Sequence, residues 1–160
     1  MNEGKRQPKM ISVHPLHEHQ ELCTQVSQLM CETWPEYYGP TTGHPADHDV
    51  EKRLNVTALP RAYIALSGKG ELLGTATLSS NSHGAVHAEE PWITALAVFR
   101  QHRRHGVAGK LIATLQSTAK HEGFNQIFCT TLSASPIFQR LGWTHLRRTS
   151  DNWDIWTRSI

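Results

Sequence analysis

Apolar residues recur along this chain with two periods, and the switches between them mark the elements. Residues 11–16 read as a short first strand that ends near Pro15. Over residues 18–33, Leu22, Val26, Leu29 and Met30 return at helical spacing, which predicts an amphipathic helix that Pro35 stops. Asp47 is placed to cap a second, short helix with Val50 and Leu54 on one side. Residues 61–66 and 71–79 then flank Gly68-Lys69-Gly70 as a hairpin, with Gly74 inside the second arm marking a bulge or a close approach. Residues 92–98 form a nearly continuous apolar run, the central strand. Beyond it Val107, Leu111 and Leu115 make one stripe, with Ile112 and Ala119 beside it, in a helix that Gly123 ends. Residues 125–132 read as another buried strand around Ile127, Phe128 and Cys129. Residues 133–141 form a short helix stopped by Gly142, and residues 143–147 and 153–157 pair as a terminal hairpin across Ser150-Asp151-Asn152. This order predicts a mixed α/β sheet of six to seven strands with four helices and two helical crossovers.

Composition narrows the function classes. A chain of 160 residues fits one domain, here residues 11–160, and the polar residues 1–10 read as a disordered leader. The net charge of +2 arises from mixed acids and bases, so it makes no case for nucleic acid. No apolar run approaches the roughly 18–20 residues of a membrane span. Cys23, Cys31 and Cys129 are scattered within apolar patterns, as expected of buried thiols in a reducing cytoplasm. Eleven histidines invite a metal, but none joins a cysteine pair or an H-E-x-x-H motif, so no metal site is expected.

The chemistry concentrates between the central strand and the helix after it, V-F-R-Q-H-R-R-H-G-V-A-G-K, residues 98–110. The first N–H groups of a helix lack intrahelical acceptors and carry the positive end of its dipole. Small residues let a bulky anion reach them, so the junction suits a phosphate or pyrophosphate, with Arg103, Arg104 and Lys110 adding charge. A Walker loop is excluded, because Leu111 follows Lys110 and the earlier glycine is missing. A dinucleotide fingerprint is excluded for want of G-x-G-x-x-G and its later acid. Arg103-x-x-Gly106-x-Ala108 remains, and it resembles the coenzyme A loop of the GNAT superfamily of N-acetyltransferases. Pro136-Ile-Phe-Gln-Arg-Leu-Gly-Trp143 resembles that family's second signature, and the element order is similar from residue 11 to 160.

The resemblance implies a GNAT fold with splayed central strands and acetyl-CoA as donor. Backbone groups of Leu96, Ala97 and Val98 would pair with the pantetheine arm. The amides of Arg104, His105, Gly106, Val107, Ala108, Gly109 and Lys110 would hold the pyrophosphate, with Arg103 at the Q/R position. A tyrosine that many relatives use to protonate the departing thiolate is Phe138 here, which leaves Ser133, Ser135, a water or no acid at all. An amine is mostly protonated near neutral pH, so a base must deprotonate it. Glu90 is the first candidate, two residues before Trp92 on one face of the central strand with Thr94 and Leu96; Glu89 and His87 stand behind it. The E-T-W-P-E-Y-Y-G stretch carries Glu32, Trp34, Glu36, Tyr37 and Tyr38, which either cap the core or line an acceptor pocket completed by Asp151. Convergence of Glu32, Glu36, Glu89, Glu90, Asp151 and Asp154 would favour a small polycationic acceptor. The stretch is loosely similar to aminoglycoside-type N-acetyltransferases, those acting on kasugamycin-like compounds included, which implies an antibiotic-resistance enzyme. It also resembles an enzyme that acetylates a protein N-terminus, so a peptide α-amine is the alternative, and a non-catalytic coenzyme A-binding regulator is the reading from another class. Many such relatives are dimers, so the resemblance admits a homodimer, which the sequence by itself does not specify.

Overall fold

The computed structural model describes residues 10–39 and 41–160; the expected leader lies outside the described residues save for Met10. Among these residues there are seven strands and five α-helices. They run β1 (Ile11–Pro15), α1 (Cys23–Thr33), α2 (Pro35–Tyr38), α3 (Ala46–Glu51), β2 (Arg61–Ser67), β3 (Leu72–Ser79), β4 (Trp92–Val98), α4 (Val107–His121), β5 (Gln126–Thr131), α5 (Ser135–Arg140), β6 (Thr144–Arg148) and β7 (Asp154–Ser159). The strands form one sheet in the order β1-β2-β3-β4-β5-β7-β6. All neighbours are antiparallel except β4 and β5, which the α4 crossover makes parallel.

Alternation along β2 assigns the two faces. Ala62, Ile64 and Leu66 pack with Val26 and Met30 of α1 and Val50 of α3. Tyr63 and Ala65 point the other way, toward the stripe of α4 made by Val107, Leu111, Ile112, Leu115 and Ala119. Every residue of that stripe is buried, as its spacing predicts.

Several expectations need correction. The first helix begins at Cys23, because two short 3-10 turns, Leu16–Glu18 and Gln20–Leu22, occupy the approach. The aromatic stretch after Pro35 is a helical turn rather than a loop. Pro35 both ends α1 and opens α2, since its missing N–H costs nothing at a first helical position. Asp47 is no cap: Pro45 precedes the helix, and Asp47 lies inside the first turn, where its charge meets the positive dipole end.

Gly74 is a close approach. A Cβ there would lie 2.7 Å from the Ala97 carbonyl oxygen and 3.2 Å from side-chain atoms of Val98 and Val107. Only hydrogen fits, so β3, β4 and the start of α4 meet at this residue. It also marks a bulge: Ala65 of β2 pairs with Gly74 but Leu66 pairs with Leu72, so Leu73 is the surplus residue. A second bulge falls in β4. Thr94 pairs with Thr77 but Ala97 pairs with Thr75, so Ala95 and Leu96 together oppose one residue of β3. Ala95 adopts φ 50°. The extra residue breaks the alternation: Trp92 packs with Phe128 and Ile155, while Leu96 turns to the α4 side. The expected common face therefore holds for Trp92 and Thr94 but not for Leu96.

Candidate active site

β4 and β5 pair only through Trp92 with Phe128 and Ile93 with Cys129. Beyond Ile93 the strands part, and the edge of β4 from Thr94 to Val98 that faces β5 has no partner strand. Bending at the bulge explains the parting. The cleft thus opens at the C-terminal end of the parallel pair, and the chain turns from there into α4.

Main-chain donors crowd that turn. Lys110 N–H closes the first helical bond, to the Gly106 carbonyl at 3.1 Å. Among the described residues, the N–H groups of Arg104 through Gly109 find no acceptor. Gly106 caps the helix at φ 82° with no side-chain bond, and Arg104 is also left-handed at φ 62°. No atom lies within 4 Å of a Cβ built on Gly106 or Gly109, so the space over these amides is open. Arg103 secures the turn: its Nε donates to the Val98 carbonyl at 3.0 Å, while the residue stays exposed. A pyrophosphate bearing a flexible arm fits this combination, with the anion on the free N–H groups and the arm against the unpaired edge. From Gly109 a groove of about 480 Å³ continues along the outer side of α4 to Lys120 and Arg158.

The far wall of the cleft is built around Asp154, the first residue of β7, which pairs with Thr131 at the end of β5. Its carboxylate accepts from Arg148 Nε at 2.9 Å and Nη2 at 3.2 Å, from His145 Nε2 at 2.8 Å and from Ser135 Oγ at 3.0 Å. These donors, Arg148 first, hold the Asp154 carboxyl well below the usual range. Ser135 Oγ also accepts from Trp156 Nε1 at 3.0 Å. Its proton is committed to Asp154, so what Ser135 presents is an acceptor lone pair. Phe138 is fully buried and packs edge-on to Trp143 at 4.9 Å, so no hydroxyl stands at that position.

Opposite, the segment between β3 and β4 is pinned to the terminal hairpin. Both oxygens of Glu89 take Arg147 nitrogens, at 2.5 and 2.6 Å, and one also accepts the Val86 N–H at 3.1 Å. The guanidinium lowers the Glu89 pKa. Arg147 also donates to the Gly84 carbonyl, Thr130 Oγ1 to the His83 carbonyl, and His83 lies 2.8 Å from Asp151. Glu90 sits just outside β4, exposed and, among the described residues, without a hydrogen-bond partner. His87 is exposed as well. On the α1–α2 side Tyr38 is buried, its hydroxyl donating to Asp49 at 2.7 Å, so it belongs to the core. Tyr37 is exposed and stacks on His44, with ring centroids 5.0 Å apart. Trp34 is half-buried, Glu36 is exposed and Glu32 accepts from Gln28.

Residues 14–143 match the acetyltransferase (GNAT) family model. The chain belongs to the GNAT family.

It is accordingly an acetyl-CoA-dependent N-acetyltransferase with the GNAT fold. Solved structures share that fold across almost the whole chain. The aminoglycoside 6'-N-acetyltransferase from Enterococcus faecium is 18% identical, with TM-score 0.71, covering 94% of this chain and 96% of its own. A GNAT acetyltransferase from Staphylococcus aureus Mu50 is 12% identical, with TM-score 0.71 and coverage of 94% and 99%. The GNAT domain of an S. lividans protein, PAT, is 19% identical, with TM-score 0.69 and coverage of 99% and 100%. No curated protein matches the chain.

The GNAT frame brings the residues expected to meet the cofactor, from Leu96 to Lys110, into one continuous turn, with Ser135 on the facing wall. It separates the expected acids. Glu89 and Asp154 are consumed by Arg147 and Arg148, and Asp151 by His83, which leaves Glu32, Glu36 and Glu90 facing solvent. Arg147, His83, His145 and Trp156 did not stand out in the sequence. Arg147 and His83 have partners far away in the chain, Arg147 lying 58 positions from Glu89, and no local spacing encodes such pairs, whereas His145 meets Asp154 across the terminal hairpin. No helix among the described residues is long and apolar enough to cross a membrane.

Proposed function

We propose that this GNAT enzyme acetylates a primary amine on a small cationic acceptor of the aminoglycoside type, by direct transfer within the β4–β5 cleft. The observation that carries the proposal is the row of free amides from Arg104 to Gly109 opening onto an unpaired strand edge. Acetyl-CoA supplies an acyl group on a thiolate leaving group. The amides and Arg103 hold the diphosphate, the free edge of Leu96–Val98 orients the arm, and the Ser135 lone pair accepts an amide N–H from it. The groove toward Lys120 and Arg158 receives the nucleotide end. Glu90 takes the proton that the acceptor ammonium must lose before its nitrogen attacks the acyl carbon. Glu89 is unsuited to this, because Arg147 holds it as a paired carboxylate. Glu32 and Glu36 attract the acceptor, and Tyr37 and Trp34 offer it flat apolar faces. The likeness to aminoglycoside acetyltransferases supports this acceptor class.

One observation favours a second reading. Two acids expected around the acceptor, Glu89 and Asp154, are paired with guanidinium groups, so the wall is less negative than a polycation would use. A single amine, such as a peptide N-terminus, suits it better. Release of free thiol from acetyl-CoA over a panel of aminoglycosides, polyamines and short peptides decides between them. Thermal stabilisation by coenzyme A with no release for any amine would instead establish a regulator. A titration with coenzyme A that gave no heat and no melting shift would remove the whole reading.

A further inference from the structure

A second cavity, of about 310 Å³, lies on the other flank of the cofactor turn. Its walls come from β1, the β2–β3 hairpin, the turn after β4 and the first residue of α4. None comes from β5, α5, β6 or β7, which build the acyl-transfer cleft and its groove. Ile11, Leu73 and Val107 give it an apolar floor, with Met10 at the edge. Around the mouth stand Lys69, His102 and His105. The one acid there, Glu71, is already engaged with His102, Nε2 to Oε1 at 3.2 Å. That leaves Lys69 and His105 without an acidic partner among the described residues. The volume is at the small end of the range for small-molecule sites, and an apolar floor with a few polar groups is their usual lining.

We infer that this cavity is a separate site for a small carboxylate with a flat apolar body, one that can be filled whether or not the acyl-transfer cleft is occupied. The floor would take the body by burial, and the Lys69 ammonium at the mouth would take the anion. Phosphate or a sugar would waste the floor, and a cation would meet Lys69. His105 and Val107 border both this cavity and the proposed cofactor site. A ligand here therefore shifts cofactor affinity by a finite factor, and the cofactor shifts the ligand's affinity by the same factor. That coupling rests on the function proposed above; the site itself does not.

The test is a titration of the full chain with 2-naphthoate, read by amide chemical shifts, with and without saturating coenzyme A. Shifts centred on Leu73, His102, His105 and Val107 are expected. The naphthoate Kd should reach a plateau as coenzyme A rises, changed by threefold or more. Lys69→Glu should weaken naphthoate at least fivefold while leaving coenzyme A affinity unaltered. Absence of shifts, a Kd that climbs without limit as coenzyme A is added, or a Lys69→Glu variant that binds as well as the parent would each overturn the proposal. Failure of coenzyme A itself to bind would remove the acetyl-transfer reading and leave the naphthoate result to judge the cavity alone.

Discussion

The two sides of the cleft are made of different materials. The cofactor side is main chain: a run of N–H groups, a left-handed glycine and an unpaired strand edge. The acceptor side is side chain: Glu89 on Arg147, His83 on Asp151, Asp154 under four donors. A main-chain site is fixed as soon as the helix starts where it does, and nearly any residue supplies an N–H. A side-chain wall exists only while each ion pair keeps its partner. One side is therefore written in geometry and the other in identity.

Substitutions on each side should separate the two. The largest effect is expected at Glu90. Glu90→Gln should lower kcat by roughly 100- to 10,000-fold and flatten the acid limb of the pH–rate profile, while Glu89→Gln leaves that limb in place. Steady-state kinetics from pH 5 to 9 would check it, and equal turnover of Glu90→Gln and parent would exclude Glu90 as base. Next is Gly106→Val. A branched side chain at φ 82° costs about 1–3 kcal/mol, equivalent to roughly 5- to 150-fold in cofactor affinity, with stability lowered as well. Isothermal titration with coenzyme A measures it, and Arg104→Ala serves as the control that keeps the N–H.

Arg147→Met should act on stability first. It strands a mostly buried carboxylate and removes charged hydrogen bonds, at roughly 2 kcal/mol, seen as a lower denaturation midpoint in urea with coenzyme A affinity preserved. Loss of cofactor binding in that variant would merge two sides that are argued to be independent. The smallest effect is in acid. The folded-state pKa of Glu89 is lowered, so its contribution is complete above the ordinary carboxylate range and is lost as pH falls through the lowered value. Melting temperature followed from pH 6 to 2 should fall less steeply for Glu89→Gln than for the parent.

This contrast also explains what was legible beforehand. Periodicity located all seven strands and the α4 stripe, because each rests on neighbours a few residues apart. The glycine and arginine spacing located the cofactor turn for the same reason. Glu90 was placed on a strand face by simple alternation, which assumed a strand without a bulge running through Pro91; β4 begins only at Trp92 and carries an extra residue at Ala95. Glu89 was counted as negative charge because its partner Arg147 arrives from β6, which only the folded sheet brings near, while Arg148 meets Asp154 inside the predicted terminal hairpin. Of the two roles open to Tyr38, core cap or pocket wall, it takes the first, with its hydroxyl turned to Asp49 inside the core.

The surplus residue at Ala95 has a bearing on how this protein can vary. Strands β4 and β5 start in register, and a chain one residue shorter at that point would let them zip together to their ends. Such a deletion would give a flatter, better-paired sheet, and the opening would be gone. A screen for thermal robustness would favour it, and a screen for turnover would discard it.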